Sequence, residues 1–286
     1  RASSEGGNLN VSIVYVDDLF NSNYFGYRHP MAIRNFIQKH LKQENTPIQG
    51  ILLLGKGQWY KPIRKDLNKR DVLDLVPTLG SPPSDYLFVS SLDKSDLTLD
   101  VPIGRVAARN NSDIDIYLAK VKAHESQVPA EWQKQIVQIA GGNDAGENTQ
   151  FQGYLQRYYN IAKDSFIGAQ RVLFSKDQAV AISSEHAEKI QQNINNGVNY
   201  INYFGHGAAQ VLDVDLGDVN NLKNEGKYPF FIFNGCALGN SYVDNSLGEL
   251  YLFAENKGAI NWLASTGFGF TNPLISYTTI LHEEMC

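Results

Sequence analysis

This chain has little sulfur and little charge. Two cysteines among 286 residues, Cys236 and Cys286, exclude a scaffold held together by disulfides. Charged residues make up only 19% and form no block of one sign, and 25 Lys and Arg against 30 Asp and Glu leave a net charge of −5. A dedicated nucleic-acid binder needs a basic face to neutralise phosphates, so nucleic acid is disfavoured as a partner. No apolar run approaches the roughly 20 residues that span a bilayer, so no transmembrane segment is expected. The stretch Arg1 to Gly7 lacks the apolar core of a signal peptide; this leaves export open, because a processed chain looks the same. No fixed-period repeat and no low-complexity tract interrupts the chain.

What is present is a 43% hydrophobic chain, enough for one large core or two modest ones. Val11 to Val16 is apolar and rich in β-branched residues, which predicts a first buried strand. Pro30 then opens an amphipathic helix with Ile33, Phe36, Ile37 and Leu41 on one face, and Gly50 to Gly55 reads as a second strand. That βαβ order implies a parallel sheet with binding groups at the carboxyl ends of its strands. Lys56 to Pro83 is polar, proline-punctuated and expected to run over the surface. Asp85 to Val89 and Val101 to Gly104 look like short strands. Ser112 is a candidate cap for a helix reaching about Gln127, and Val128-Pro129 is the expected boundary between domains 1–128 and 129–286.

The second half repeats the alternation, with strands at Ile136–Ala140, Arg171–Phe174, Val198–Phe204, Pro229–Phe233 and Gly258–Ala264. Helices are expected around Phe151, Tyr154, Leu155 and Tyr158, and again around Ala187, Ile190 and Ile194. Three of the strands run into small or polar residues: Gly205-His206-Gly207, Asn234-Gly235-Cys236 and Ser265-Thr266-Gly267.

These strand ends carry the chemistry. A thiol nucleophile needs a neighbouring base, a group that steadies the imidazole, and N–H donors aimed at the developing oxyanion. His206 between two glycines leaves room for a substrate carbonyl and a Gly207 N–H free to donate. Cys236 follows the next strong strand, so neighbouring strands would bring both side chains to one rim. A buried, inert cysteine and a turn histidine are the plainer account of the same residues.

Tyr203-Phe204-Gly205-His206-Gly207 followed by Pro229 to Cys236 resembles the catalytic core of the gingipain family of cysteine peptidases. Ser84-Asp85-Tyr86, Asp100 to Arg105, the Leu52 to Gly55 strand, Ser246 to Glu249, Asn256 to Ile260 and Ala264-Ser265-Thr266 agree with it too, so the resemblance covers nearly the whole chain. It implies a caspase-like α/β fold of two side-by-side subdomains and cleavage of a peptide bond. It makes Cys236 the nucleophile, His206 the proton-transfer partner, and the N–H groups of Gly207 and Cys236 the oxyanion hole. The Gln-Ala-Cys signature of caspases proper is absent. Family members orient the histidine with a carboxylate from the loop that here reads Gly141 to Glu147; Asp144 is the first choice and Glu147 the reserve. The family builds its substrate pocket around Trp262, Ser265, Thr266, Gly267 and Phe268, although Trp262 is equally at home in a core. Relatives include the sortase of the type IX secretion system, so transpeptidation stands beside hydrolysis, and a catalytically silent homologue that only binds is the third reading. Location outside the cell or on its surface, further domains of the same polypeptide, and a protein or peptide substrate follow from the same resemblance.

The remaining signals are weak. Gly55-Lys56-Gly57 lacks both nucleotide-binding patterns. No cofactor is required for thiol chemistry. Asp93, Asp96, Asp100, Asp213, Asp215 and Asp218 offer oxygen ligands to a structural calcium, without EF-hand spacing, and the metal content stays unknown.

Overall fold

Residues 1–42, 48–59, 63, 65–90, 99, 101–176 and 184–286 are described by the structure, a computed structural model of the chain. They form two compact units, Arg1–Ala107 and Ala108–Cys286.

In the first unit come helices α1 (Val16–Asn23) and α2 (Pro30–Leu41), strand β1 (Ile51–Leu54), short helices α3 (Leu67–Leu73) and α4 (Tyr86–Val89), and strand β2 (Ile103–Val106). Pro30 occupies the first turn of α2, where its missing N–H costs nothing, and the His29 ring caps the Met31 N–H at 3.1 Å. The helix buries Ala32, Ile33 and Ile37 against Leu53, Val76, Phe88, Val89 and Val101. Strands β1 and β2 pair in parallel, Ile51 opposite Ile103. Arg105 grips Asp85 with two bonds of 2.7 and 2.8 Å, fixing the entry to α4.

Two sequence expectations fail here. Val11 to Tyr15 form no strand, and Ile13 is 80% exposed; a strand needs a partner, and β1 pairs only with β2 among the described residues. The chain turns helical at Val16 instead, where Asp17 and Asp18 fall in the first turn and favour the positive helix end. Tyr86 to Val89 is one helical turn, a short apolar run whose period could not choose between helix and strand. Asp93, Asp96, Asp100 and residues 60–62 of the surface excursion lie outside the described residues.

The second unit opens with helix α5 (Asn111–Glu125), capped by Asn110 rather than Ser112. There follow β3 (Gln135–Gly141), α6 (Ala145–Asp164), β4 (Gln170–Ser175), α7 (Ser184–Asn196), β5 (Tyr200–Gly205), the hairpin β6 (Gly207–Ala208) and β7 (Val211–Leu212), β8 (Phe230–Asn234), α8 (Leu247–Leu252), β9 (Asn261–Ala264) and α9 (Thr271–Met285). Lys120 of α5 donates to the carbonyls of Tyr251, Leu252 and Ala259 at 2.9 to 3.5 Å, completing the carboxyl end of α8. Burial brings that ammonium down to about 7. These bonds tie α5 to the second unit, which begins at Ala108, upstream of the boundary that the sequence predicts at Val128-Pro129.

A five-stranded parallel sheet, in the order β4-β3-β5-β8-β9, forms the core of this unit. Side chains alternate strictly. Val137, Ile139, Ile201, Tyr203, Phe231 and Phe233 pack on one face with Ile190 and Ile194 of α7 and Tyr251 of α8. Ala140 and Phe204 turn to the other face and meet Phe151, Leu155 and Tyr158 of α6. Full burial of each such side chain contributes about 1.5–3 kcal/mol. On that second face His282 of α9, fully buried, donates from Nδ1 to the Thr278 carbonyl at 2.7 Å and meets Asn202 of β5 at 3.1 Å. Strand order reverses between β3 and β5, the place where a parallel sheet opens a crevice at its carboxyl edge.

Candidate active site

Three neighbouring strands end at that crevice. β5 and β8 pair with Phe204 opposite Asn234, so His206 and Cys236 each lie two residues beyond a matched pair. On the other side of β5 lies β3, which leads through Gly141 and Gly142 into α6.

From the first turn of α6, Glu147 reaches the imidazole, its Oε1 3.0 Å from His206 Nε2. Asp144 does not fill the place expected of it. Its carboxylate caps α6, accepting the Glu147 N–H at 2.8 Å, and a residue committed to the cap of its own helix is held away from the ring. Glu147 is further fixed by the Asn143 N–H, which donates to Oε2 at 2.7 Å. Partial burial works against ionisation of Glu147, yet the Asn143 bond and the contact with His206 outweigh it and hold the carboxyl below its ordinary range. A carboxylate on Nε2 selects the tautomer with the proton there, which leaves a lone pair on Nδ1. Phe151 backs the ring at 6.0 Å between centroids, and the Tyr203 hydroxyl donates to the His206 carbonyl at 2.5 Å.

Glycine lets the turns close on one another. A Cβ on Gly207 would stand 2.7 Å from one methyl of Leu238, and a Cβ on Gly235 the same distance from the other and 2.8 Å from the Gly205 carbonyl. The buried Leu238 is therefore a wedge that touches both the histidine turn and the cysteine turn. In the β6–β7 hairpin Gly207 faces Leu212, and the Asp213 N–H donates to the His206 carbonyl at 3.3 Å. That pattern makes Gly207 and Leu212 a pair outside the ladder bonds and keeps the Gly207 N–H out of the hairpin.

Cys236 is half-buried, and its Sγ lies 3.4 Å from the Gly269 N–H. Ala237 follows in the left-handed region, φ 54°, and donates its N–H to the Gly267 carbonyl at 2.7 Å. Ser265 hydrogen-bonds the Gly235 carbonyl at 2.5 Å. Ser265 and Gly267 thus support the cysteine turn from behind, with Thr266 half-buried between them. Trp262 donates to the Leu238 carbonyl at 2.9 Å, and its ring packs on Phe231, Phe233 and Tyr251 at 4.6 to 5.8 Å. It is a wall of the core beneath the site. Leu238, Gly269 and the left-handed Ala237 were not singled out in the sequence; the Gly267-Phe268-Gly269-Phe270 alternation was the one available sign of a close-packed loop.

The whole chain, residues 1–286, matches the family model of Peptidase family C25. The chain belongs to this family. Solved structures agree on the fold of the C25 chain. One is the complex of Porphyromonas gingivalis RgpB pro- and mature domains, with TM-score 0.78, 18% identity, 99% of this chain and 64% of that one covered. Another is the Arg specific cysteine proteinase gingipain R, with TM-score 0.71, 20% identity and 89% and 57% coverage. A third, described as the structure of a protease, has TM-score 0.65 at 16% identity, with 87% and 52% coverage. The C25 chain thus spans less than two thirds of these structures' length, and it shares their caspase-like α/β fold, a central parallel sheet with flanking helices. No curated protein matches the chain.

Among the described residues no group of three or more His, Cys, Asp or Glu side chains converges to hold a metal ion, and no helix is long and apolar enough to cross a membrane.

Proposed function

We propose that this C25 chain is a cysteine endopeptidase in which Cys236 is the nucleophile, His206 its proton-transfer partner and Glu147 the carboxylate that orients the imidazole. The observation that carries the reading is the 3.0 Å Glu147–His206 contact one strand away from the Cys236 turn. His206 Nδ1 takes the thiol proton, and the thiolate attacks the scissile carbonyl carbon. The Gly207 and Cys236 N–H groups stabilise the oxyanion. The imidazolium gives its proton to the departing amine as the C–N bond breaks, leaving a thioester on Cys236. Water, deprotonated by His206, then displaces sulfur and restores the thiol. Side chains and backbone N–H groups of the chain supply every step of this scheme.

We infer a protein or peptide substrate and a place outside the cell or at its surface from membership of the family, and a role in maturing exported proteins from the same source. An amine in place of water at the second step turns the same site into a transpeptidase. The test is burst kinetics on a peptide library with the wild type, Cys236→Ala and His206→Ala, with added amine nucleophiles and mass spectrometry. A thioester adduct that needs Cys236, and cleavage lost in both variants, is the expected result. No adduct in the wild type identifies a silent homologue.

A further inference from the structure

The loop after β9 runs antiparallel to the cysteine turn, and its contacts step along both segments two residues at a time. The Gly239 N–H donates to the Ser265 carbonyl at 2.9 Å, and the Ala237 N–H to the Gly267 carbonyl at 2.7 Å. The same register brings Gly269 opposite Gly235. A Cβ on Gly269 would stand 2.9 Å from the Gly235 carbonyl oxygen and 2.9 Å from a methyl of Leu274 on α9, so only glycine lets the loop close on the turn at this step. Here the pattern changes. The Gly235 carbonyl is bonded by the Ser265 hydroxyl at 2.5 Å, and the Gly269 N–H turns to the sulfur of Cys236, 3.4 Å away.

That contact is on a reacting atom. In the proposed reaction the sulfur is negatively charged twice, first when His206 takes the thiol proton and again when water displaces it from the thioester. The Gly207 and Cys236 N–H groups serve the carbonyl oxygen, which leaves the sulfur to another donor. A hydrogen bond to a charged acceptor is roughly twice as strong as one to a neutral acceptor, so an N–H fixed on sulfur favours thiolate over thiol. This N–H is fixed by the loop's three bonds to the turn, and it stands in place before the charge develops.

We propose that the Gly269 N–H is a catalytic donor that stabilises the Cys236 thiolate, as nucleophile in acylation and as leaving group in deacylation. It gives up no proton; that proton passes between Sγ and His206. Its part in turnover rests on the peptidase reading, whereas its effect on the thiol is tested without any substrate.

The donor is deleted by amide-to-ester exchange. Glycolic acid in place of Gly269, introduced by nonsense suppression, replaces the N–H by oxygen and adds no side chain. Phenyllactic acid in place of Phe270 is the control, because it makes the same exchange one residue on and leaves the Gly269 N–H intact. His206 and Glu147, the titratable pair of the site, are the same in every protein. Alkylation of Cys236 by iodoacetamide is followed by mass spectrometry on the tryptic peptide that carries it. The ester at 269 is expected to react about 10-fold more slowly than the wild type at about pH 7, where the thiolate fraction sets the rate. At about pH 10 thiols are mostly ionised and the more basic thiolate is the better nucleophile, so the same ester reacts at least as fast as the wild type. With it kcat/KM on a fluorogenic peptide falls about 10-fold, and the ester at 270 keeps both rates within about 3-fold. Wild-type alkylation at neutral pH in the 269 ester, equal losses in the two esters, or a loss that is the same at both pH values overturns the proposal. Selective slowing at neutral pH in the 269 ester, with a wild type that cleaves no peptide, keeps the donor and overturns the peptidase.

Discussion

Replacing Glu147 by Gln retains the shape of the side chain and an oxygen that accepts from His206, and deletes only the charge. When the imidazole takes the thiol proton, the wild type sets a carboxylate 3.0 Å from the protonated ring. Two unit charges about 4 Å apart interact by about 4 kcal/mol at an effective dielectric of about 20. The His206 and Glu147 side chains are 41% and 28% exposed. Solvent therefore screens the pair, and what remains is about 1.5–3 kcal/mol, the range of a hydrogen bond to a charged group. Glu147→Gln is thus expected to lower kcat/KM about 10- to 100-fold. The Glu147 carboxyl lies below its ordinary range, so the charge is complete at neutral pH and is lost only as pH falls through that lowered value. The assay pairs kcat/KM on a fluorogenic peptide with the rate of Cys236 alkylation by iodoacetamide, both across pH. Asp144→Asn is the control, since Asn caps a helix as well as Asp, and it should stay within about 3-fold of the wild type. Equal damage from Asp144→Asn, or full activity in Glu147→Gln, refutes the assignment of the orienting carboxylate.

Other consequences follow from the packing. Gly207→Ala and Gly235→Ala each place a methyl 2.7 Å from Leu238 and within 2.9 Å of a backbone oxygen, and urea unfolding should show each about 1–3 kcal/mol less stable. Lys120→Met leaves the Tyr251 and Leu252 carbonyls at the end of α8, and the Ala259 carbonyl before β9, without this donor, and the same assay should register a loss of about 1–3 kcal/mol. With the Lys120 ammonium brought down to about 7, the unfolded chain holds that proton more firmly than the folded one. Wild-type stability therefore falls as pH drops from about 9.5 to 7, by at most about 1.4 kcal/mol per unit, and the Met variant lacks this slope. Trp262→Phe removes the indole bond to Leu238 but keeps a ring among Phe231, Phe233 and Tyr251, so the expected effect is a lower melting temperature with KM unchanged.

The second unit was legible because its central strands are buried on both faces and two of them end in conspicuous residues. Continuous runs such as Tyr200 to Phe204 and Phe230 to Phe233 admit little besides a central parallel strand, and His206 and Cys236 could be read as strand-end residues before any coordinates. Side-chain direction was not legible. Asp144 and Glu147 sit on the same short loop and first turn, and only the helix cap decides which of them is free to reach the ring. Val11 to Val16 misled for a different reason: β-branched content reports that a segment suits a strand, whereas pairing depends on whether another strand offers it an edge. The role of Leu238 was hidden because a leucine after a glycine-rich turn carries no mark of the two turns it separates.

Ala237 is held at φ 54°, a conformation in which most side chains are disfavoured and glycine is at ease. Glycine at this position would relieve that strain in the folded chain and at the same time free the backbone that presents the thiol. Selection for heat resistance and selection for turnover therefore pull on one residue in ways that need not agree. A directed-evolution campaign scored on survival at high temperature alone would have no reason to preserve the alanine, and one scored on product formation would.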